Sequence, residues 1–394
     1  MFFLAAVTLI SVGQDKVGTR HFVDPKAKQP ISKSIISIPK KSGKEPRLQV
    51  PPGFTIQKFA SGLKHPRNLL VAENGDVFVL EADSVRIQLL RDGNGDGVAE
   101  TKSLFCSGLR GPHGMAIFEG YFYVANTGSV VRYDYLPGMT KVAGKPEVVV
   151  PDLPAEKGYN MHWTRNLAFS PDGEWMFVTV GSATNDDIEP SPRGTILRFR
   201  PDGSDRKVWA SGIRNPVGLT FRPGTNELWT SCIERDFYGN DTPPDFIAKV
   251  NEGDWFGWPY FYSGKNVDPK HKKVKPPRSD SRLAEAYVEA HSIPIGIHFY
   301  EGSLFPEEYQ GDLFVAMRGS TNRVPRSGYK VVRFDVNDGV LNPKYEDFVV
   351  GWAPDRRKKE VHGRPTAVAT DRFGALLIAD EWGGCVWRVS RARK

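Results

Sequence analysis

Six segments of the chain repeat one layout, and this repetition restricts the fold more than any other feature. Each segment begins with a polar or basic residue beside Pro or Asn. A small residue, a short apolar strand, a turn and a second strand follow. The starts lie at His65-Pro66-Arg67, Pro112-His113-Gly114, Arg165-Asn166, Arg214-Asn215-Pro216, Pro294-Ile295-Gly296 and Arg364-Pro365. The first four are about 50 residues apart, a period that short strands fill as one four-stranded blade of a β-propeller. One blade cannot bury both of its faces alone; a ring of blades buries them all. We therefore expect an all-β chain folded as a six-bladed β-propeller. In that fold the innermost strands aim their first residues at one mouth of the axial channel. Six distant segments thus deliver His, Arg and Asn to one place.

Composition agrees with many short strands joined by turns, since the chain holds 39 Gly and 30 Pro. Only Ser281–Ala290 reads as a short helix. The formal net charge of +7 is unevenly placed: residues 14–50 carry +6 and residues 51–394 only +1. A nearly neutral body argues against a nucleic-acid surface. The basic excess belongs to a Lys/Pro/Ser-rich arm, residues 14–50, which is expected to be loosely ordered. Residues 1–13 read as a secretory signal peptide, with the apolar run Phe2–Val12 and small residues Ser11 and Gly13 before Gln14. That run is too short to span a bilayer, and no later run is apolar enough. An extracytoplasmic protein, periplasmic or secreted and without a transmembrane segment, is expected. Cys106, Cys232 and Cys385 are scattered; they allow one disulfide at most and no framework, and there is no Cys-x-x-Cys-His for a covalent haem.

The propeller proper is expected over residues 51–394. The alternating stretch 53–60 precedes the first full repeat and is expected to complete the last blade, leaving no open sheet edge. The first repeat then carries Asp92, Asn94, Asp96 and Glu100, with Gly97 at the sixth position. These oxygen donors at positions 1, 3, 5 and 9 match the start of a calcium loop. The flanks read as strands, so a strand-loop-strand calcium hairpin is expected; a plain Gly/Asp turn is the alternative. Residues 265–290 form a Lys/Pro-rich insertion expected at the surface.

At the inner-strand starts the candidate polar residues are Arg67, His113, His162, Arg165, Arg214, Asn215, His291, Arg318 and Arg364. So many cations without comparable carboxylates repel one another unless an anion joins them. A polyanionic ligand is therefore expected at that mouth.

Four stretches carry a family resemblance: RNLAFSPDG after His162, ASGIRNPVGL around Arg214, NEGDWFGWPY at 251–260 and HGRPTAVATD at 362–371. Together they resemble the soluble sugar dehydrogenases that depend on pyrroloquinoline quinone, nearest to the L-sorbosone-dehydrogenase-like branch, over roughly residues 50–390. The resemblance implies a six-bladed propeller with the quinone over its axis. It implies His162 as the base that takes the hydroxyl proton from a sugar, alcohol or hydrated aldehyde. Arg214 would hold the quinone oxygens, Asn215 would orient that end, and Arg364 would clamp a carboxylate of the cofactor. His113 and Arg318 are further cofactor-binding candidates, and Trp258 is a candidate aromatic wall. Calcium would bind the backbone carbonyls at Glu234 and Arg235, after the fourth inner hairpin, with side-chain oxygens of Glu234, Asp236 and Asp241 as further donors. An external electron acceptor, cytochrome c or a quinone, is expected.

The chain departs from the family pattern at Leu109 or Arg110, at Arg318 and at His362. Two other readings follow from those departures and from the fold. One is a calcium-dependent lactonase-like hydrolase, which needs two or three carboxylates around an axial metal. The other is a binding propeller that has lost the cofactor.

Overall fold

The computed structural model describes residues 14–27, 30–155 and 162–392. The signal peptide expected at residues 1–13 lies outside them. Six antiparallel sheets form the blades of a propeller. The inner strands are Pro66–Val71, Pro112–Phe118, Leu167–Phe169, Pro216–Phe221, Pro294–Phe299 and Pro365–Thr370. The second strands are buried throughout, save Tyr121 at the start of the second blade's; Val77–Glu81 and Leu376–Asp380 are examples. Apolar contacts between neighbouring blades thus make the core, as the repeat requires. Among the described residues no helix is long and apolar enough to cross a membrane.

The ring closes as expected. Phe54–Ser61 pairs antiparallel with Cys385–Arg391 and becomes the outer strand of the sixth blade. Asn68 and Asn166 tie neighbouring blades at the axis, donating to His113 O and Val217 O at 2.9 Å each. Gly296 lets two inner strands meet, because a Cβ there would lie 2.6 Å from Ala367 Cα.

Five blades share a register shift just after the first proline of the inner strand, at the end where the candidate residues cluster. Bulges of this kind re-aim side chains. The third blade differs. It has no proline there, its inner strand is only Leu167–Phe169, and His162–Asn166 stays outside the sheet.

Two expectations are corrected. Ser281–Ala290 is not a helix; Ala286–Val288 is the outer strand of the fourth blade, paired with Asp245–Ile247. Tertiary pairing overrides local propensity there. The arm is not loose either. Arg20–His21 pairs with Tyr345 and Glu346, and Lys40–Lys41 pairs with Glu360–Val361. Its Asp15 reaches the buried Lys330 at 3.5 Å, beside Asp347 at 2.8 Å. A buried ammonium needs such partners, which gives the basic arm a fixed seat. All three cysteines are buried free thiols.

Candidate active site

Two cavities lie on the propeller axis. The larger, about 770 Å³, follows the bodies of the inner strands toward their far ends, at Val71, Phe221, His298 and Thr370. The smaller, about 460 Å³, opens where the inner strands begin. It gathers His162, Arg214, Asn215 and Arg318 with Arg67, His291, Trp163, Asp236, Glu381 and Trp382. Both volumes suit a small molecule; only the smaller collects the candidate residues.

His162 Nδ1 lies 2.9 Å from both the carbonyl oxygen and Oγ of Ser182. Ser182 Oγ donates its own proton to Thr184 O at 2.6 Å, so it faces the imidazole as an acceptor. Both partners therefore require the proton on Nδ1. Nε2, which has no hydrogen-bond partner among the described residues, keeps a lone pair. Burial, and then the charge of Arg214, hold the His162 pKa well below the ordinary histidine range. The ring is thus neutral at pH 7 and able to accept a proton. Gly181 makes this position possible, since a Cβ there would lie 2.6 Å from both His162 Cβ and Asn215 Oδ1.

Arg214 is almost fully buried and fixed on several sides. Nε donates to Asn185 O at 3.0 Å and Nη1 to Glu234 O at 2.7 Å. Nη2 meets Asn185 Oδ1 at 2.8 Å and Asp236 Oδ2 at 3.0 Å. On another wall, Glu381 sits between two guanidiniums, 2.7 Å from Arg318 Nε and 3.4 Å from Arg67 Nη1. Burial pushes the Glu381 carboxyl up, but Arg67 and Arg318 outweigh it and hold it at about 2. Burial, with Arg318 beside it, lowers Arg67 to about 10. The buried Nε of Arg67 has no hydrogen-bond partner. The Arg67 guanidinium lies 5.7 Å from the Trp163 ring.

The expected shortage of carboxylates at this mouth is therefore overturned, because Asp83, Asp236 and Glu381 all line it. Antiparallel pairing explains how they arrive. The start of each inner strand faces the end of the second strand, as Pro66 faces Glu81 and Pro365 faces Asp380. The loops just after the second strands, carrying Asp83, Asp236 and Glu381-Trp382, reach the same mouth as the inner-strand starts. The repeated motif at inner-strand starts does not mark these acids, because they follow the ends of second strands.

Several candidates lie elsewhere. His113 is buried edge-on to Trp163, 6.1 Å between ring centroids, and is not a lining residue. Burial and then Arg67 push its pKa down to about 3. Arg364 donates to Arg318 O at 3.1 Å and Gly319 O at 2.5 Å, and its guanidinium lies 5.2 Å from the Trp382 ring. It thereby props the turn that presents Arg318 and the aromatic wall. Arg165 donates to the carbonyls of His162, Thr164 and Pro154. Trp258 donates Nε1 to Asn185 O at 3.1 Å and packs on Gly194, a structural corner behind the loop that holds Arg214. The cavity's aromatic walls are Trp163 and Trp382 instead.

The side chains at the axial metal candidates are otherwise engaged. Glu234 and Arg235 form a buried ion pair at 2.6 Å, and Arg235 also meets Asp268 at 2.9 Å. The Glu234 carbonyl accepts from Arg214. Among the described residues, three metal-ligating side chains converge only at Asp92, Asp96 and Glu100, with one oxygen of each within 4.8 Å of the others. Opposite oxygens around calcium stand at about that separation, given bonds of roughly 2.3–2.6 Å. Asn94 turns its Oδ1 to the Asp96 amide. The loop joins strands Arg86–Arg91 and Thr101–Ser107 and abuts the sixth blade through Arg372, which donates to Asp92 O.

A family model described as TrAA12-like matches residues 48–237 and 247–392. An uncharacterised protein of Borreliella burgdorferi is 27% identical over 361 residues, covering 87% of this chain and 90% of that one. Two solved structures, each 18% identical, share the fold and each cover 90% of this chain. One is the calcium structure of a family AA12 carbohydrate-active enzyme from Trichoderma reesei, at TM-score 0.75 over 98% of its length. The other is the holo form of the pyranose dehydrogenase PQQ domain from Coprinopsis cinerea, at 0.72 over its whole length.

The Arg67–Glu381–Arg318 bridge generates a stability prediction. Glu381→Gln leaves two enclosed guanidiniums without their shared carboxylate. We expect a loss of about 3 kcal/mol in urea unfolding, the usual cost of breaking an enclosed ion pair from one side. An unchanged midpoint would mean that the cavity tolerates the uncompensated charges.

Proposed function

The chain belongs to the TrAA12-like family, and on that premise we propose that it is a quinoprotein dehydrogenase oxidising a sugar or a related alcohol or hydrated aldehyde. The observation that carries this reading is His162, a buried, neutral imidazole whose proton is fixed on Nδ1. The residues around the cavity fit pyrroloquinoline quinone. The indoles of Trp163 and Trp382 offer apolar faces to a flat ring system, Arg67 and Arg318 offer guanidiniums to its carboxylates and carbonyl oxygens, and Arg214, whose donors are held by Asn185, Ile233, Glu234 and Asp236, adds its charge. The unpartnered Nε of Arg67 is a donor awaiting an acceptor. When bound, the quinone supplies the acceptor for the hydride that leaves the substrate carbon. His162 Nε2 takes the hydroxyl proton as that transfer proceeds. Arg214 is held rigid by Asn185, Glu234 and Asp236, so it can stabilise developing negative charge without rearranging. The name of the Coprinopsis cinerea protein supports the cofactor assignment.

The finer parts of the reading rest on the sequence motifs. L-Sorbosone and aldoses are the first substrates to assay. An external acceptor, cytochrome c or a quinone, would accept the electrons afterwards, and export through residues 1–13 would place the enzyme outside the cytoplasm. A lactonase-like hydrolase loses support, because Asp236 and Glu381 each face arginine and no metal-ligating trio gathers at the axis among the described residues.

Reconstitution with pyrroloquinoline quinone and calcium, followed by dye-linked oxidation of a sugar panel, tests the proposal. His162→Gln should still bind the quinone and lose turnover by roughly 10²–10⁴-fold, the range for general acid–base groups. Arg214→Ala should weaken quinone binding as well as rate. Parent-like turnover by His162→Gln would make the histidine structural; failure of the parent to bind quinone would leave a binding propeller.

Calcium in the 92–100 hairpin is a separate part of the proposal, supported by the three converging carboxylates. An ion that binds only the folded chain raises its stability. Asp96→Ala should therefore lower the melting temperature in calcium and change it little in chelator. Equal melting of parent and variant in both buffers would show a bare turn.

A further inference from the structure

Residues 30–42 cross the cavity end of the ring as a pinned strip. Pro30 O accepts from Thr242 Oγ1 at 3.3 Å, and the Ser32 amide donates to Tyr238 O at 2.9 Å. Ser34 Oγ accepts from the Gly239 amide at 3.0 Å. The Ser37 amide donates to Thr321 O at 3.0 Å, and Ser37 O accepts from Arg326 at 2.8 Å. The Lys40 and Ser42 amides then donate to Lys359 O and Val361 O at 2.8 and 2.9 Å. Two of these anchors adjoin the cavity, since Thr321 lines it and Tyr238 lies two residues past Asp236.

Between the pins the apolar side chains point outward. Ile31, Ile35, Ile36 and Ile38 are 42%, 48%, 63% and 63% exposed, and Phe237, on the turn that receives Ser32, is 57% exposed. A strip fixed at its polar positions with its isoleucines in water reverses the usual arrangement. Clustered exposed apolar groups of this kind mark contact surfaces.

Charge identifies what the surface fits. Residues 25–44 contain six lysines and no Asp or Glu. Lys33, Lys40, Lys41 and Lys44 are exposed, and none has an ion-pair partner among the described residues. Of the nearby acids, Asp15 is paired with Lys330 and Arg356 and Glu45 with Lys58, while Asp24 accepts the Lys26 amide. The strip thus presents single protruding isoleucines interleaved with unpaired ammonium groups. That pattern matches a layer of anionic headgroups, where apolar side chains enter the acyl boundary and lysines meet phosphates. We propose that the strip from Ile31 to Lys44 docks the propeller, cavity end first, onto a membrane surface containing anionic phospholipid. This docking stands independently of the dehydrogenase reading.

The test is co-sedimentation of the full chain with phosphatidylcholine vesicles, with and without phosphatidylglycerol. Binding is expected only to the anionic vesicles and should weaken as salt is added. Lys33→Gln/Lys40→Gln/Lys41→Gln should lower the partition coefficient roughly 100-fold, given the usual contribution of basic residues at such a surface. Ile35→Ser/Ile36→Ser/Ile38→Ser leaves the charge unchanged and should still cost at least about tenfold, because apolar insertion is lost. Melting temperatures report whether the variants fold; Ile36→Ser alone serves if the triple variant is destabilised. No binding to anionic vesicles would overturn the proposal, as would full binding by a folded isoleucine variant. Strip-dependent binding of an acidic cytochrome, with vesicles ignored, would also overturn it and assign the face to a protein partner.

Discussion

The strand pairing that closes the ring is the constraint on which the rest depends. Seven residue pairs join Phe54–Ser61 to Cys385–Arg391 and give the sixth blade its outer strand. Without that closure two sheet edges stand open and the inner strands have no fixed common axis. With it, the first residues of strands hundreds of positions apart in sequence face one cavity. His162, Arg214, Arg318 and Glu381 come from the third to the sixth blades, and their relation is set by backbone hydrogen bonds rather than by local sequence.

Inside the cavity, electrostatics divides labour between fixed charges and one neutral base. Three guanidiniums are held beside carboxylates and carbonyls, so each has a defined position. Burial first, and then the charges of Arg214, Arg165 and Arg193, strip His162 of its proton. Ser182 then decides which nitrogen keeps the remaining one. A surplus of uncompensated cations would do this less well, because it would destabilise the folded cavity before a ligand arrived.

The fold and half of the site were legible in the sequence for a physical reason. Repetition of Pro or Asn beside a small residue marks inner-strand starts, and that regularity yields blade number, closure, and the placing of His162, Arg214 and Asn215. What was not legible depends on side-chain direction and on second-strand ends. His113 and Arg364 occupy the right backbone level but point behind Trp163 and Trp382. Trp258 reads equally well as wall or corner until the loop at Asn185 is seen beneath it. Glu381 follows a strand end rather than a strand start. The arm's low apolar content predicts looseness, yet Asp15 and His21 seat it against Lys330 and Asp347; a charge network substitutes there for a hydrophobic one.

The proposed chemistry turns on the state of one imidazole, which ¹⁵N-histidine NMR of the labelled protein reads without cofactor or substrate. Assigned through His162→Gln, the His162 ring should appear as the neutral Nδ1–H tautomer at pH 7 and remain so well below pH 6.5, its depressed pKa leaving it unprotonated where an ordinary histidine is charged. A ring that titrates near 6.5, or one that carries its neutral proton on Nε2, would contradict the assignment of His162 as the proton acceptor.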